Sequence, residues 1–239
     1  MRGCLSVLLL ALLFAAAGFW FGGRPAAAFL IDTGLTSGGF TARERQVEVE
    51  ADPPFELIGG RADSVRLRAS GTEFRAGLSA EDLDMTLTAV DILGGSFEEV
   101  TGDLSGVALE EPGGGGAIGP FEIEVDGPAD AAEVAALLPA DALLPLLRGV
   151  IETAVGVQPG ELRLEAPDLV TFTLGPAGSR ARILVEGGDL AVRVAIPGGQ
   201  PVTLRLLDPP AAFRLATARV GTDGLRLTGE LDVAALVGL

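Results

Sequence analysis

The chain has 239 residues, 48% of them apolar, and a formal charge of −16. That apolar content is ample for a core and excludes global disorder. So acidic a surface repels phosphate backbones and anionic bilayers, which argues against nucleic-acid binding and against peripheral docking through a basic patch.

All 17 basic residues are Arg, and the chain holds no His, Lys or Tyr. His-based triads, His metal ligands, Schiff-base lysines and the lysine-bearing phosphate loop are therefore absent. Cys4 is the single Cys, so there is no intramolecular disulfide and no Cys-based metal site.

Arg2 stands just before the apolar run Cys4 to Gly22, and small residues follow at Ala26, Ala27 and Ala28. Two readings are open. One is a secretory signal cleaved before Phe29, and the other is an uncleaved anchor, since the run is about long enough to span a bilayer. Either places the bulk of the chain outside the cytoplasm, in the periplasm or cell envelope, secreted or tethered. Removing residues 1–28 deletes Arg2 and Arg24 and no acid. Fifteen Arg then face 33 Asp plus Glu, and the charge becomes −18. Cys4 precedes the apolar run, so it is not placed as a lipid-attachment cysteine.

Residues 29–44 are read as a loosely ordered lead-in, and residues 45–239 as one domain. Arg45 to Ala51 alternates and predicts a first strand. Pro53-Pro54 and Gly59-Gly60 bracket Phe55 to Ile58. In Ser64 to Arg68, Val65 and Leu67 share one face, and Arg66 and Arg68 the other. Asp82 to Ile92 sets Leu83, Met85, Leu87 and Ala89 against Asp82, Asp84, Thr86 and Thr88, a half-buried strand with one wet face. Asp103 to Glu110 is a further candidate strand, Glu111 to Gly116 a flexible loop, and Phe121, Ile123 and Val125 alternate with acids.

Pro128 to Val155 is the one long helix-forming stretch. Asp130 and Glu133 have capping-box spacing, which predicts a helix from near Ala131 to Leu138, broken at Pro139. A second helix is expected from near Asp141, with Pro145 in or near its first turn. Leu143, Leu146, Leu147, Val150, Ile151 and Ala154 make one broad apolar face. This helical layer either covers a sheet or lines something that is not protein.

Strands resume after Val155: Glu161 to Glu165, Val170 to Leu174, Ala181 to Val185, Leu190 to Ile196, Val202 to Leu206, Phe213 to Val220 and Leu225 to Leu231. Turn signals at Gly187-Gly188, Pro197-Gly198-Gly199, Pro209-Pro210 and Asp223-Gly224 separate them. The layout predicts an α+β fold, with two short central helices packed on one face of a long, mostly antiparallel sheet.

Acid–base chemistry is left to carboxylates. Asp82 with Asp84, and Glu122 with Glu124 and Asp126, share strand faces, a pattern that ordinarily makes a solvated surface. A glycan hydrolase would need an apposed carboxylate pair across a cleft. Gly77-Leu78-Ser79-Ala80-Glu81 begins like a nucleophile elbow but lacks the final Gly and any base. No stretch has calcium-loop spacing. No catalytic residue, cofactor or metal ligand is assigned.

Three stretches together resemble the LmeA family of envelope phospholipid-binding proteins: Pro54 to Ile92, Phe121 to Val125 running into Ala129, and Asp208 to Leu231 with its Asp223-Gly224-Leu225 turn. The resemblance implies an extracytoplasmic, non-catalytic lipid binder of tubular lipid-binding architecture. There, helices lie against a strongly curved sheet with an acyl chain between the layers. This chain departs from the family pattern in its Ala-rich helical stretch, its lack of Lys and its few aromatics. Phospholipid or another acyl lipid is the expected partner, with membrane association through the N-terminal segment. The expected contacts are Leu83, Met85 and Leu87 on the sheet, Val134, Leu137 and Leu138 on the first helix, and Leu143, Leu146, Leu147 and Ile151 on the second. The alternative is a structural or interaction module of the envelope with a closed core and no ligand.

Overall fold

Alternating segments become strands because each can bury one face and hydrate the other. The computed structural model describes residues 23–74, 77–110, 117–196, 198–207, 211–233 and 235. The apolar run Cys4 to Gly22, the loop Glu111 to Gly116, Pro197 and Pro209-Pro210 lie outside the described residues.

In chain order the strands are β1 Glu44–Glu50, β2 Arg61–Phe74, β3 Leu78–Asp91, β4 Glu99–Glu110, β5 Ala117–Pro128 and β6 Ala132–Pro139. They continue as β7 Arg163–Glu165, β8 Leu169–Leu174, β9 Ala177–Glu186, β10 Asp189–Val194, β11 Val202–Leu207, β12 Phe213–Val220 and β13 Gly224–Leu231. The mostly antiparallel sheet expected from the sequence is present, but as two sheets. One has eight strands in the order β1-β2-β3-β4-β5-β6-β13-β12, and the other five in the order β11-β10-β9-β8-β7. The second sheet adjoins the β12 edge of the first, where the Val220 N–H donates to the Pro167 carbonyl at 2.7 Å. Buried residues of both sheets belong to one connected apolar cluster.

The expected first helix is a strand. Ala132, Val134, Ala136 and Leu138 of β6 are buried, while Glu133 and Ala135 are exposed. β6 pairs with β5 on one side and β13 on the other. The preference of Ala and Leu for helix amounts to a few tenths of a kcal/mol per residue. Two full hydrogen-bond ladders and a buried face outweigh it. Asp130 caps nothing helical. It sits in a turn closed by the Ala131 N–H donating to the Pro128 carbonyl at 3.1 Å.

One central helix therefore remains, α2 Ala140–Val155, preceded by the N-terminal helix α1 (residues 23–37). Pro145 lies inside α2, beyond the first turn, on its exposed side. Leu143, Leu147 and Ile151, four residues apart, are fully buried, and Leu146, Val150 and Ala154 flank them half-buried. α2 packs on β5, β6, β11 and β13 and ends at Gly156, whose left-handed backbone lets its N–H donate to the Glu152 carbonyl. α1 overturns the expectation of a loose lead-in over residues 29–44. Its Ala27 is buried, and Ala28, Ile31 and Leu35 pack on the core.

The inward face of β2 to β5 changes phase along one line. Buried positions run Val65, Leu67 and Ala69 on β2 and then skip to Thr72. β3 skips from Ala80 to Leu83, β4 from Leu104 to Val107, and β5 from Ile118 to Phe121. These steps are neighbours in the ladders, through Ser70 opposite Asp82 and Asp82 opposite Ser105. The β4–β5 register shifts at the same place, as an inserted residue demands. Gly71 and Gly106 supply the left-handed backbone there, at φ 57° and 62°. A second step occurs at Ala89, whose φ is 50°. Ala89 is exposed and Val90 buried, so the expected apolar row on β3 ends at Leu87 and resumes one residue out of phase.

Candidate functional site

The inner face of the eight-stranded sheet holds a cavity of about 110 Å³, and all fifteen residues that line it are apolar. Phe121, Ile123 and Val125 of β5 form the floor, beside Val134 and Ala136 of β6. Strict alternation puts these five on one side, with Glu122, Glu124 and Glu133 facing out. Met85 of β3 and Leu104 of β4 continue the floor towards β2. Phe74, Leu78 and Leu109 close one end, across the line of phase shifts. The far wall is Leu207 of β11, Phe213 of β12, Leu227 and Leu231 of β13, and Val233.

Of the ten expected lipid contacts, Met85 and Val134 line this cavity. Leu138, Leu143, Leu147 and Ile151 are fully buried in the core and are not among its lining residues. Leu83 is also buried, and Leu87 and Leu146 are half-buried against the core. Leu137 faces away from Ala136 on β6 and is half-buried. No residue of α2 lines this cavity. Residues missed include Phe121 and Ile123, whose alternation was plain. Which strand face would enclose space was not, because Phe213 and Leu207 arrive from far along the chain.

The outer face of the same sheet is polar and acidic. An open groove of about 500 Å³ is lined by Glu44, Asp82, Asp84 and Asp103 together with Arg45 and Arg68. Arg66 Nε and Nη2 donate to the two oxygens of Asp84 at 2.9 and 2.7 Å, and Arg68 Nε reaches Oδ2 at 3.4 Å. The Arg66 hydrogen bond, with lesser help from Arg68, holds the Asp84 carboxyl below the ordinary carboxylate range. The Asp223 carboxyl is lowered in the same way by its hydrogen bond from Arg226. Both are built to stay ionised, the opposite of what a glycosidase acid requires. Ser79, in the elbow-like stretch, lies within the continuous strand β3 and not on a strained strand-to-helix turn. Among the described residues no group of three or more Asp, Glu, Cys or His is placed to hold a metal ion.

No family model matches this chain, nor does any curated protein or solved structure.

Proposed function

We propose that this chain is an exported cell-envelope protein that binds phospholipid or another acyl-chain ligand, without catalysis. The observation that carries the reading is the cavity whose every lining residue is apolar. Natural cores close such spaces, because an unfilled void forfeits packing contacts. A water needs about 10 to 15 Å³ of comparable space and several polar partners. An apolar cavity of about 150 Å³ holds one benzene, so this one has room for on the order of four carbon groups, and it offers a water no side-chain partner. At about 0.8 kcal/mol per buried CH₂, four methylenes supply roughly 3 kcal/mol before ordering costs.

The adjacent phase shifts in β2 to β5 support a sheet that curls round the ligand, since each bulge increases local twist and bend. The three stretches similar to the LmeA family point the same way. The acid-rich outer face bears on headgroup choice and membrane approach, not on acyl burial.

Native mass spectrometry of protein purified from its own envelope without detergent tests the reading. We expect a population carrying one lipid mass, released by organic extraction. Protein that is apo throughout, and takes up no lipid from added phosphatidylcholine or phosphatidylglycerol, removes the proposal. It would leave the ligand-free envelope module, a reading that the closed packing of Leu143, Leu147 and Ile151 favours.

A further inference from the structure

Helix α1 is apolar on its inward side and mixed on its outward side, where Thr33, Thr36 and Ser37 are exposed in its second half. Its inward side, Ala27, Ile31 and Leu35 at four-residue spacing, packs on the core. Its outward side presents Phe29 at 69% exposure and Leu30 at 54%, with Ala26 also exposed. α2 shows what a solvated helix face looks like in this molecule: Asp141, Arg148, Glu152 and Thr153 are among its exposed positions. The protein covers only one side of α1.

The chain's charge pattern says what covers the other. Residues 1–31 hold Arg2 and Arg24 and no acid, although 33 acids follow from Asp32 onward. The protein as a whole repels an anionic bilayer, whereas this segment has the complementary sign. It is also the direct continuation of the apolar run Cys4 to Gly22, nineteen residues with no charge.

Cleavage before Phe29 would remove contacts that α1 makes with the core. α1 runs unbroken across Ala28 and Phe29, and Ala27, on the far side of that bond, is a core residue at 6% exposure. α1 is fastened to the sheet from the other direction. Arg45 of β1 pairs with Asp32 and donates to the Thr36 hydroxyl at 2.9 Å, and its guanidinium lies 5.8 Å from the centre of the Phe40 ring.

We propose that α1 is a bilayer-contacting helix: the N-terminal segment is retained, and Phe29 and Leu30 rest in the membrane interface. The fixed docking of α1 on β1 then sets the orientation of the whole domain against that membrane. This holds whether or not the inner cavity carries lipid.

The test uses the full chain in a Cys4→Ser background, with an environment-sensitive dye on Leu30→Cys or, as control, on Arg148→Cys of α2. Both positions are exposed, so neither change disturbs packing. The proteins are reconstituted in phosphatidylcholine vesicles containing phosphatidylglycerol and a lipid with a nitroxide near its headgroup. We expect several-fold stronger quenching at position 30 than at position 148, and an intact mass from native membranes that includes residues 1–28. Equal quenching at the two positions overturns the proposal. So does a dye at position 30 shielded from both water and nitroxide, which would place protein there. A native chain that starts at Phe29 also overturns it.

Discussion

Phe40 meets Phe74 edge-on, with ring centroids 5.2 Å apart and planes at 63°. Phe74 lines the apolar cavity, and Phe40 is the buried residue that ends the path from α1 into the sheet. One aromatic contact thus joins the N-terminal helix to the end wall of the candidate site. Phe40→Ala should cost about 3 to 5 kcal/mol, as for other buried Phe truncations. Urea denaturation measures the loss. Faster amide exchange in α1 should accompany it, because the helix loses its anchor beside Arg45.

Filling the cavity separates ligand binding from stability. Ala136 is buried at the cavity floor with space above it. Ala136→Leu should cut co-purifying lipid several-fold and leave the melting temperature of delipidated protein unchanged or higher. A loss of more than about 2 kcal/mol, with no effect on lipid, would mean the void is not where the ligand sits.

Leu147→Ala is the complementary change. Leu147 is fully buried on α2, away from the cavity. The closed-core penalty of about 2 to 5 kcal/mol is expected, with lipid content per folded molecule unchanged. Denaturation and mass spectrometry on the same preparation check both halves.

Gly224 opens β13 at φ 143°, and a Cβ there would lie 2.1 Å from the Leu138 carbonyl oxygen. Gly224→Ala should therefore push β13 off β6, at a cost of about 2 to 3 kcal/mol. The neighbouring Asp223 needs no such backbone freedom, and its side chain pairs with Arg226 in the open. Asp223→Asn, which keeps the shape but weakens that pair, should be nearly silent. Thermal melts of the two variants should differ clearly.

The Arg66–Asp84 pair makes a pH prediction. The Asp84 carboxyl is lowered from its ordinary 3.8. A depressed folded pKa adds stability above the unfolded value, and that stability is lost as pH falls through the folded one. Asp84→Asn should be slightly less stable than wild type above about pH 5, with the gap closing below about pH 4. The pair is solvent-exposed, so the gap should be small and shrink further in salt. Denaturation midpoints across pH measure it.

Much of the fold was legible because burial on one face of a strand imposes period two on the residues themselves. Val65 and Leu67 against Arg66 and Arg68, and Phe121, Ile123 and Val125 against acids, are oriented as their alternation predicts. What the residues could not state is which segments lie side by side. Ala132 to Leu138 satisfies a helix locally and a strand globally, and the ladders to β5 and β13 decide between them. The cavity is further still from the sequence. It is lined by residues from both sides of the aligned phase shifts in β2 to β5, and by Leu207, Phe213 and Val233, which return from far along the chain. Apolar composition was set by the sequence alone. Whether apolar faces close on each other or leave space depends on distances between strands, and only the tertiary structure sets those.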